Sequence, residues 1–93
     1  MPRGSPRLRT DDDKMNQIGA RVKERRRALG LTQDALCGRL ALATNGRWNP
    51  DRRDVVRIEI GTRIVSDVEM LALAEALDCD ACWLLVGLER QSP

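Results

Sequence analysis

Arginines with helical spacing are the residues of this chain best suited to chemistry. Arg52, Arg53 and Arg57 lie in the stretch "DRRDVVRIEIGT", which also carries the aliphatic residues Val55 and Ile58. On an α-helix Arg53 and Arg57 share one face, whereas Val55 and Ile58 share another. The planar guanidinium fork binds phosphate oxygens and guanine edges with two parallel hydrogen bonds. The stretch therefore predicts a helix that packs through its apolar face and binds a polyanion through its arginine face. An ordinary solvated helix face is the alternative.

The charges of the chain are distributed unevenly, although the formal net charge is only +2. From Asn16 to Arg63 the sequence has eleven Arg or Lys residues against five Asp or Glu residues. From Ile64 to Pro93 it has one Arg against six Asp or Glu residues. This asymmetry predicts a basic face for a polyanion and an acidic side that is turned away from it.

The composition argues against catalysis. Histidine is absent, so a Ser or Cys nucleophile would lack its usual activating base and a zinc ion its commonest ligand. No glycine-rich phosphate loop occurs. We therefore expect a protein that binds rather than an enzyme, with no cofactor and no metal ion.

Three cysteines, Cys37, Cys79 and Cys82, leave one alternative open. Cys79 and Cys82 form a CxxC pair, but a structural zinc site generally needs four ligands. A redox pair would normally stand at a helix start in a thioredoxin-like context, which is missing. The expected interpretation is one buried small residue and one incidental thiol. A disulfide between Cys79 and Cys82 on oxidation and a small redox or metal protein are the alternatives. The odd cysteine count and the lack of a membrane-spanning apolar run predict a cytoplasmic protein with reduced thiols.

The chain divides into three segments. Residues 1–14, "MPRGSPRLRTDDDK", are polar and end in an Asp run followed by Lys, so we interpret them as an expression tag or a disordered basic arm. Residues 15–88 are expected to form one small domain. Residues 89–93 are expected to be a frayed C-terminal tail.

Five helices separated by turn residues are predicted, and no stretch alternates with the period of a strand, so the fold class is all-α. The expected boundaries are Asn16 and Gly30 for the first helix, Thr32 as cap of the second, Asn49-Pro50-Asp51 and Gly61 for the third, a capping box of Ser66 and Glu69 for the fourth, and Asp80 and Gly87 for the fifth.

Two of these helices are expected to supply much of the core. The fourth is apolar almost all round, with Val68 and Leu71 among its aliphatic residues, so we expect a buried central helix. The fifth should pack on the core through Trp83, Leu84 and Leu85.

Several motifs of the chain occur in an order that resembles a known family. They are Ile-Gly before a basic first helix, Gly-Leu-Thr-Gln, Gln-x-x-Leu, Arg-Ile-Glu-x-Gly, Leu-Ala-x-Ala-Leu and Trp-Leu-Leu-x-Gly, spread over residues 18–87. This pattern resembles the phage-repressor/Cro-like (Xre-type) helix-turn-helix transcriptional regulators. The resemblance implies a five-helix bundle of the lambda-repressor-like DNA-binding type. It also implies that the third helix lies in the major groove of DNA.

The resemblance assigns roles to particular residues. Base-contacting positions of the family match Arg52, Arg53 and Arg57, with Asp51 near the N-cap of the same helix. Gln33 matches a position that usually touches a backbone phosphate. Two further positions are expected to form a structural salt bridge between the first and third helices, and these are Arg26 and Glu59. A direct functional contact of Glu59 is the alternative to this bracing role.

The link between the second and third helices is longer than in the compact form of the motif, so the chain resembles the subgroup with a lengthened turn. The additional residues lie around "ALATNGRW". Arg47 in this insert is expected to contact phosphate or sugar. Trp48 could do the same, or it could cover the edge of the core.

The sequence thus predicts sequence-specific binding of double-stranded DNA by a small transcriptional regulator, a repressor with activation as the alternative. A homodimer is expected, with Val86 and Leu88 as candidate contacts. A different class of function remains open: an antitoxin or adaptor that keeps the fold and binds a toxin or another protein. No membrane partner is expected.

Overall fold

Five α-helices make up the computed structural model, which describes residues 7–88. They are α1 Gly19–Ala28, α2 Gln33–Ala43, α3 Arg52–Ile60, α4 Asp67–Ala76 and α5 Ala81–Val86. No strand occurs within the described residues, so the predicted all-α class is confirmed. Residues 1–6 of the predicted tag lie outside this range, as does the whole predicted C-terminal tail, residues 89–93. Within 7–88 no helix has the length and apolar character needed to cross a membrane.

Side-chain caps define the helix starts largely as the sequence predicts. Thr32 Oγ1 accepts a hydrogen bond from the backbone N–H of Ala35 at 3.0 Å, and Ser66 and Glu69 form the expected capping box. Asp51 caps α3, so Pro50 lies before the cap, although proline is favoured at a first helical position. The reason is that the Asp51 carboxylate satisfies an exposed N–H of the first turn, which proline cannot do.

The predicted first helix is longer than α1, which begins at Gly19 rather than just after Asn16. The Asn16 side chain nevertheless accepts hydrogen bonds from the N–H groups of Ile18 and Gly19, at 3.1 and 2.9 Å. Its amide also donates to the carbonyl of Arg63 at 2.8 Å. The N-cap of α1 is therefore Ile18 and not Asn16 as predicted, although Asn16 binds the N–H groups at the helix start and also binds the loop that follows α3.

The core forms where the apolar faces of the helices meet. α3 packs against α1 and α2, while α4 packs against α2 and α5. The largest fully buried side chains come from every helix, and they are Val22, Leu36, Leu40, Val55, Ile58, Leu73, Leu77 and Leu84. Trp83 is partly buried against this core, as predicted, whereas Leu85 is exposed.

The prediction that α4 is buried all round is wrong. Leu73 and Leu77 are fully buried, but Val68 is 69% exposed and Leu71 is 59% exposed. A domain of this size has too few elements to cover a helix on every side, because small proteins bury a smaller fraction of their surface. α4 therefore presents an aliphatic strip to solvent.

Basic side chains of α1 close the C-terminal ends of the last two helices. Arg25 donates to the carbonyl oxygens of Leu77 and Asp78, at 2.8 and 3.0 Å. Arg21 donates to those of Leu84 and Leu85, at 2.8 and 2.9 Å. Helix C-termini carry unpaired carbonyls and a partial negative charge, so cations are stabilising there. These two arginines thus hold α1 against α4 and α5.

Arg63 joins the loop after α3 to α4 and to the insert. Its guanidinium donates two hydrogen bonds to the Glu69 carboxylate, each 2.9 Å long, and lies 5.7 Å from the centre of the Trp48 ring. The hydrogen bonds from Arg63 lower the pKa of Glu69, and the backbone N–H of Ser66 lowers it further. Trp48 is half-buried and packed against the core, in agreement with one of its two predicted roles.

The lowered pKa of Glu69 predicts a pH dependence of stability. A carboxylate with a depressed folded-state pKa stabilises the protein above its unfolded pKa, and this contribution disappears as the pH falls through the folded value. Glu69→Gln should therefore lower the free energy of unfolding at pH 7. The difference from the parent chain should shrink below about pH 4. Urea titrations at several pH values measure this, and a difference that grows in acid would contradict it.

Two helical glycines provide a second prediction, because their surroundings differ. A Cβ at Gly19 would lie 2.4 Å from the Ile58 carbonyl oxygen and 2.6 Å from that of Glu59, where α1 crosses α3. A Cβ at Gly38 would have no neighbour within 4 Å. Gly19→Ala should destabilise the fold by about 1–3 kcal/mol, because backbone must shift. Gly38→Ala should stabilise it by about 0.5–1 kcal/mol through lower chain entropy. Thermal unfolding of the two variants tests the close approach of α1 and α3 at Gly19. Equal changes in the unfolding free energy of the two variants would contradict it.

Candidate nucleic-acid interface

The outward face of α3 carries the arginines that the sequence singles out. Val55 and Ile58 are fully buried, so the opposite side of the helix faces solvent. Arg53 and Arg57 lie on that side and are exposed. Neither side chain makes a hydrogen bond or an ion pair with any other residue of the described part of the chain. This face is therefore able to donate several hydrogen bonds to a ligand without first breaking an internal hydrogen bond or ion pair.

A buried ion pair holds α3 against α1. Arg26 Nε donates to Glu59 Oε2 at 2.6 Å, and Arg26 Nη2 donates to Glu59 Oε1 at 3.1 Å. The side chains are only 10% and 2% exposed, respectively. Glu59 raises the already high pKa of Arg26, mainly through these hydrogen bonds, so Arg26 stays charged. The pair implied by the family resemblance is thus present, with the bidentate geometry that makes such pairs strong.

The ion pair continues into a chain of hydrogen bonds that reaches the surface. Gln33 Nε2 donates to Glu59 Oε1 at 3.2 Å, and Gln33 Oε1 accepts from Arg52 Nε at 3.2 Å. At the other end, Arg26 Nη1 donates to the Leu31 carbonyl at 2.8 Å. Four of the eight predicted site residues therefore belong to one network that joins α1, α2 and α3. Gln33, expected at a phosphate, is half-buried and its amide is engaged inside this network.

Asp51 sits at the start of α3 and is held in place by its neighbours. Its carboxylate accepts from the N–H of Asp54 at 2.9 Å, and Asp54 Oδ2 accepts from the N–H of Asp51 at 3.1 Å. The hydrogen bond from Asp54 lowers the pKa of Asp51, and the charge of Arg53 lowers it further. Asp51 is therefore a charged helix cap, consistent with its predicted position.

Arg47 lies in the turn that follows α2. Arg47 is exposed, and its Nε donates to the carbonyl of Thr44 within the same turn, at 3.1 Å. Thr44 Oγ1 accepts from the N–H of Trp48 at 3.0 Å, which closes the turn. Arg47 makes no direct contact with the Arg26–Glu59 network. Binding of a ligand by Arg47 would therefore not involve direct contact with that network.

Arg21, Arg25 and Arg63 have roles that inspection of the sequence missed. The sequence indicates only that all three belong to the basic half of the chain, whereas in the structure their guanidinium groups are bound internally. Their partners are mostly backbone carbonyls brought close by the tertiary fold. Within the described residues Arg63 has two acidic partners, Glu69 at 2.9 Å and Asp54 at 3.8 Å, and only these acids could have indicated its role.

The cysteines lie in two different places. Burial raises the pKa of Cys37, and the nearby Asp34 raises it further, whereas Cys79 lies beside Arg25 and has a pKa that burial also raises. A raised pKa keeps a thiol protonated, which is the opposite of what a nucleophile requires. Among residues 7–88, no three acidic or cysteine side chains are grouped so that they could hold a metal ion.

Comparison with models of known protein families, with curated proteins and with solved structures found no match for this chain.

The buried position of Glu59 predicts a large effect of its removal. Glu59→Ala should lower the free energy of unfolding by about 3–5 kcal/mol, because the Arg26 charge would be stranded in the interior. Glu59→Gln keeps the shape of the side chain and should cost less. Denaturant titration followed by circular dichroism measures both.

The matched control is Glu75→Ala, since Glu75 is exposed on α4. That variant should change the unfolding free energy by less than about 0.5 kcal/mol. A loss below about 1 kcal/mol in Glu59→Ala would contradict the bracing role of the pair.

Proposed function

We propose that this chain is a sequence-specific double-stranded DNA-binding domain of a small transcriptional regulator, with α3 in the major groove. Its action is binding without catalysis, and occlusion of a promoter would make it a repressor. The observation that carries this proposal is the exposed, internally unpaired state of Arg53 and Arg57 on the outward face of α3. Arg25, Arg26 and Arg63, by contrast, are bound inside the fold.

The dimensions of α3 fit the proposed ligand. Nine residues give a helix about 13 Å long, and an α-helix with side chains is about 10–12 Å wide. The major groove of B-DNA is about 12 Å wide and admits one such helix. α3 packs on α1 and α2 through one side only, which leaves its arginine side for the groove.

The family resemblance supports the same proposal from a different direction. The motif residues Arg26, Gln33 and Glu59 form one hydrogen-bonded network that fixes α3 relative to α1 and α2. A helix that reads bases must be held rigidly, because small displacements disrupt bidentate contacts. On this proposal Arg47 contacts a phosphate next to the groove, and the domain belongs to the Xre-type group with a lengthened turn.

The proposed assembly on DNA is a homodimer. Two copies would bind half-sites about one helical turn apart, roughly 34 Å. Val86 and Leu88, at the end of α5, are 49% and 68% exposed and are the proposed contacts between copies. Each copy would then present its α3 to the same side of the duplex.

A second candidate function is protein binding, as an antitoxin or an adaptor. The observation that favours it is the aliphatic strip on α4, where Val68 and Leu71 are mostly exposed. Contiguous exposed apolar residues often mark protein interaction sites. The two functions differ in what the arginines do, since an adaptor does not need Arg57 on α3.

Selection of bound duplexes from a random pool tests the proposed function. The wild-type chain should enrich a defined sequence and should bind it less tightly as salt rises, since phosphate contacts release counterions. Arg57→Ala should lose about 1–3 kcal/mol of specific binding. Arg9→Ala removes the same charge from an exposed residue before α1 and is the matched control, with little loss expected. Failure to enrich any duplex would overturn the proposal and favour the adaptor.

A further inference from the structure

The three arginines of α3 are not equivalent in the structure. Arg52 Nε is bound to Gln33 Oε1 at 3.2 Å, and Gln33 is in turn bound to Glu59. Arg53 and Arg57 make no such bond to any described residue and differ from Arg52 in their place on the helix. Arg52 lies towards the edge of α3 that faces α2, whereas Arg53 and Arg57 lie on the side opposite the buried Val55 and Ile58.

This difference affects what each guanidinium can reach. A major-groove ligand contacts the side of α3 opposite its packed face, and there the structure has Arg53 and Arg57. Arg52 is held at the junction of α2 and α3, the edge that the backbone of a duplex would pass. A guanidinium whose Nε is already engaged and which is fixed by Gln33 is well placed to bind a phosphate and to set the position of the helix.

We infer that Arg53 and Arg57 each read a guanine and that Arg52, held by Gln33, binds a backbone phosphate. This inference rests on the proposed function and specifies its ligand as a duplex whose half-site contains two guanines. The planar fork of arginine matches the O6 and N7 acceptors of guanine, which no other base presents together. The exposed face of α3 has no Asn or Gln, the residues that pair with adenine in the same bidentate way.

The spacing of the two guanines follows from helix geometry. Arg53 and Arg57 are four residues apart, which is about 6 Å along the helix axis. Successive base pairs rise about 3.4 Å, so the two guanines should be about two base pairs apart.

The test combines duplex selection with base analogues. The wild-type chain and the variants Arg52→Ala, Arg53→Ala and Arg57→Ala are each used to select from one randomised duplex pool. In the duplex that the wild-type chain enriches, each guanine that recurs at a fixed position is then replaced by 7-deazaguanine. This analogue lacks the N7 acceptor but pairs normally with cytosine. A guanine outside the enriched site is replaced in the same way as the control. Circular dichroism first establishes that every variant is folded.

We expect two guanines in the wild-type half-site, and replacement of either should weaken binding by roughly 5- to 150-fold. Arg53→Ala should lose the preference at one guanine, and Arg57→Ala at the other. Arg52→Ala should keep both preferences, weaken binding to all duplexes alike and lower the salt slope by about 1.

Three outcomes would overturn the inference while leaving the proposed function standing. They are an enriched half-site without guanine, affinity that 7-deazaguanine does not change, and loss of a guanine preference in Arg52→Ala. If the wild-type chain enriches nothing, the proposed function fails, and the division of roles among the arginines fails with it.

Discussion

The buried Arg26–Glu59 pair is the interaction on which the arrangement of the first three helices depends. Removing two charges from water costs several kcal/mol per ion, so such a pair persists only where further hydrogen bonds complete it. Here Gln33 and the Leu31 carbonyl provide them. Because the pair tolerates little displacement, it fixes the angle and register of α3 rather than merely adding stability. A contact in the interior thus determines which side of α3 faces solvent.

The basic half of the chain is divided into two groups by the fold. Arg21 and Arg25 bind helix C-termini, and Arg63 binds Glu69, so their charges are committed to internal partners. The side chains of Arg53 and Arg57 make no hydrogen bond or ion pair with the described residues, and neither do those of Lys23, Arg27 and Arg39 on α1 and α2. A count of charges therefore overstates the basic surface. The outward direction of the arginines on α3, rather than the number of charges, supports the proposed binding of DNA.

The exposed aliphatic strip of α4 follows from the small size of the domain. Val68 and Leu71 remain outside because α4 contacts only α2 and α5 closely. Acidic residues flank this strip, so it differs in character from the arginine face of α3. The domain consequently has two chemically distinct surfaces. This arrangement would allow a regulator to contact a polyanion and a protein at the same time.

Local sequence determined the number of helices, most of their caps and the amphipathic pattern of α3, because these depend on residues within one or two turns. Thr32, Ser66 with Glu69, and Gly61 illustrate this. The Arg26–Glu59 pair is predicted only by the family resemblance. The roles of Arg21 and Arg25 and the exposure of Val68 were decided by tertiary structure. The two arginines bind backbone carbonyls, and Val68 faces solvent. Both arrangements depend on how helices that are distant in sequence pack together.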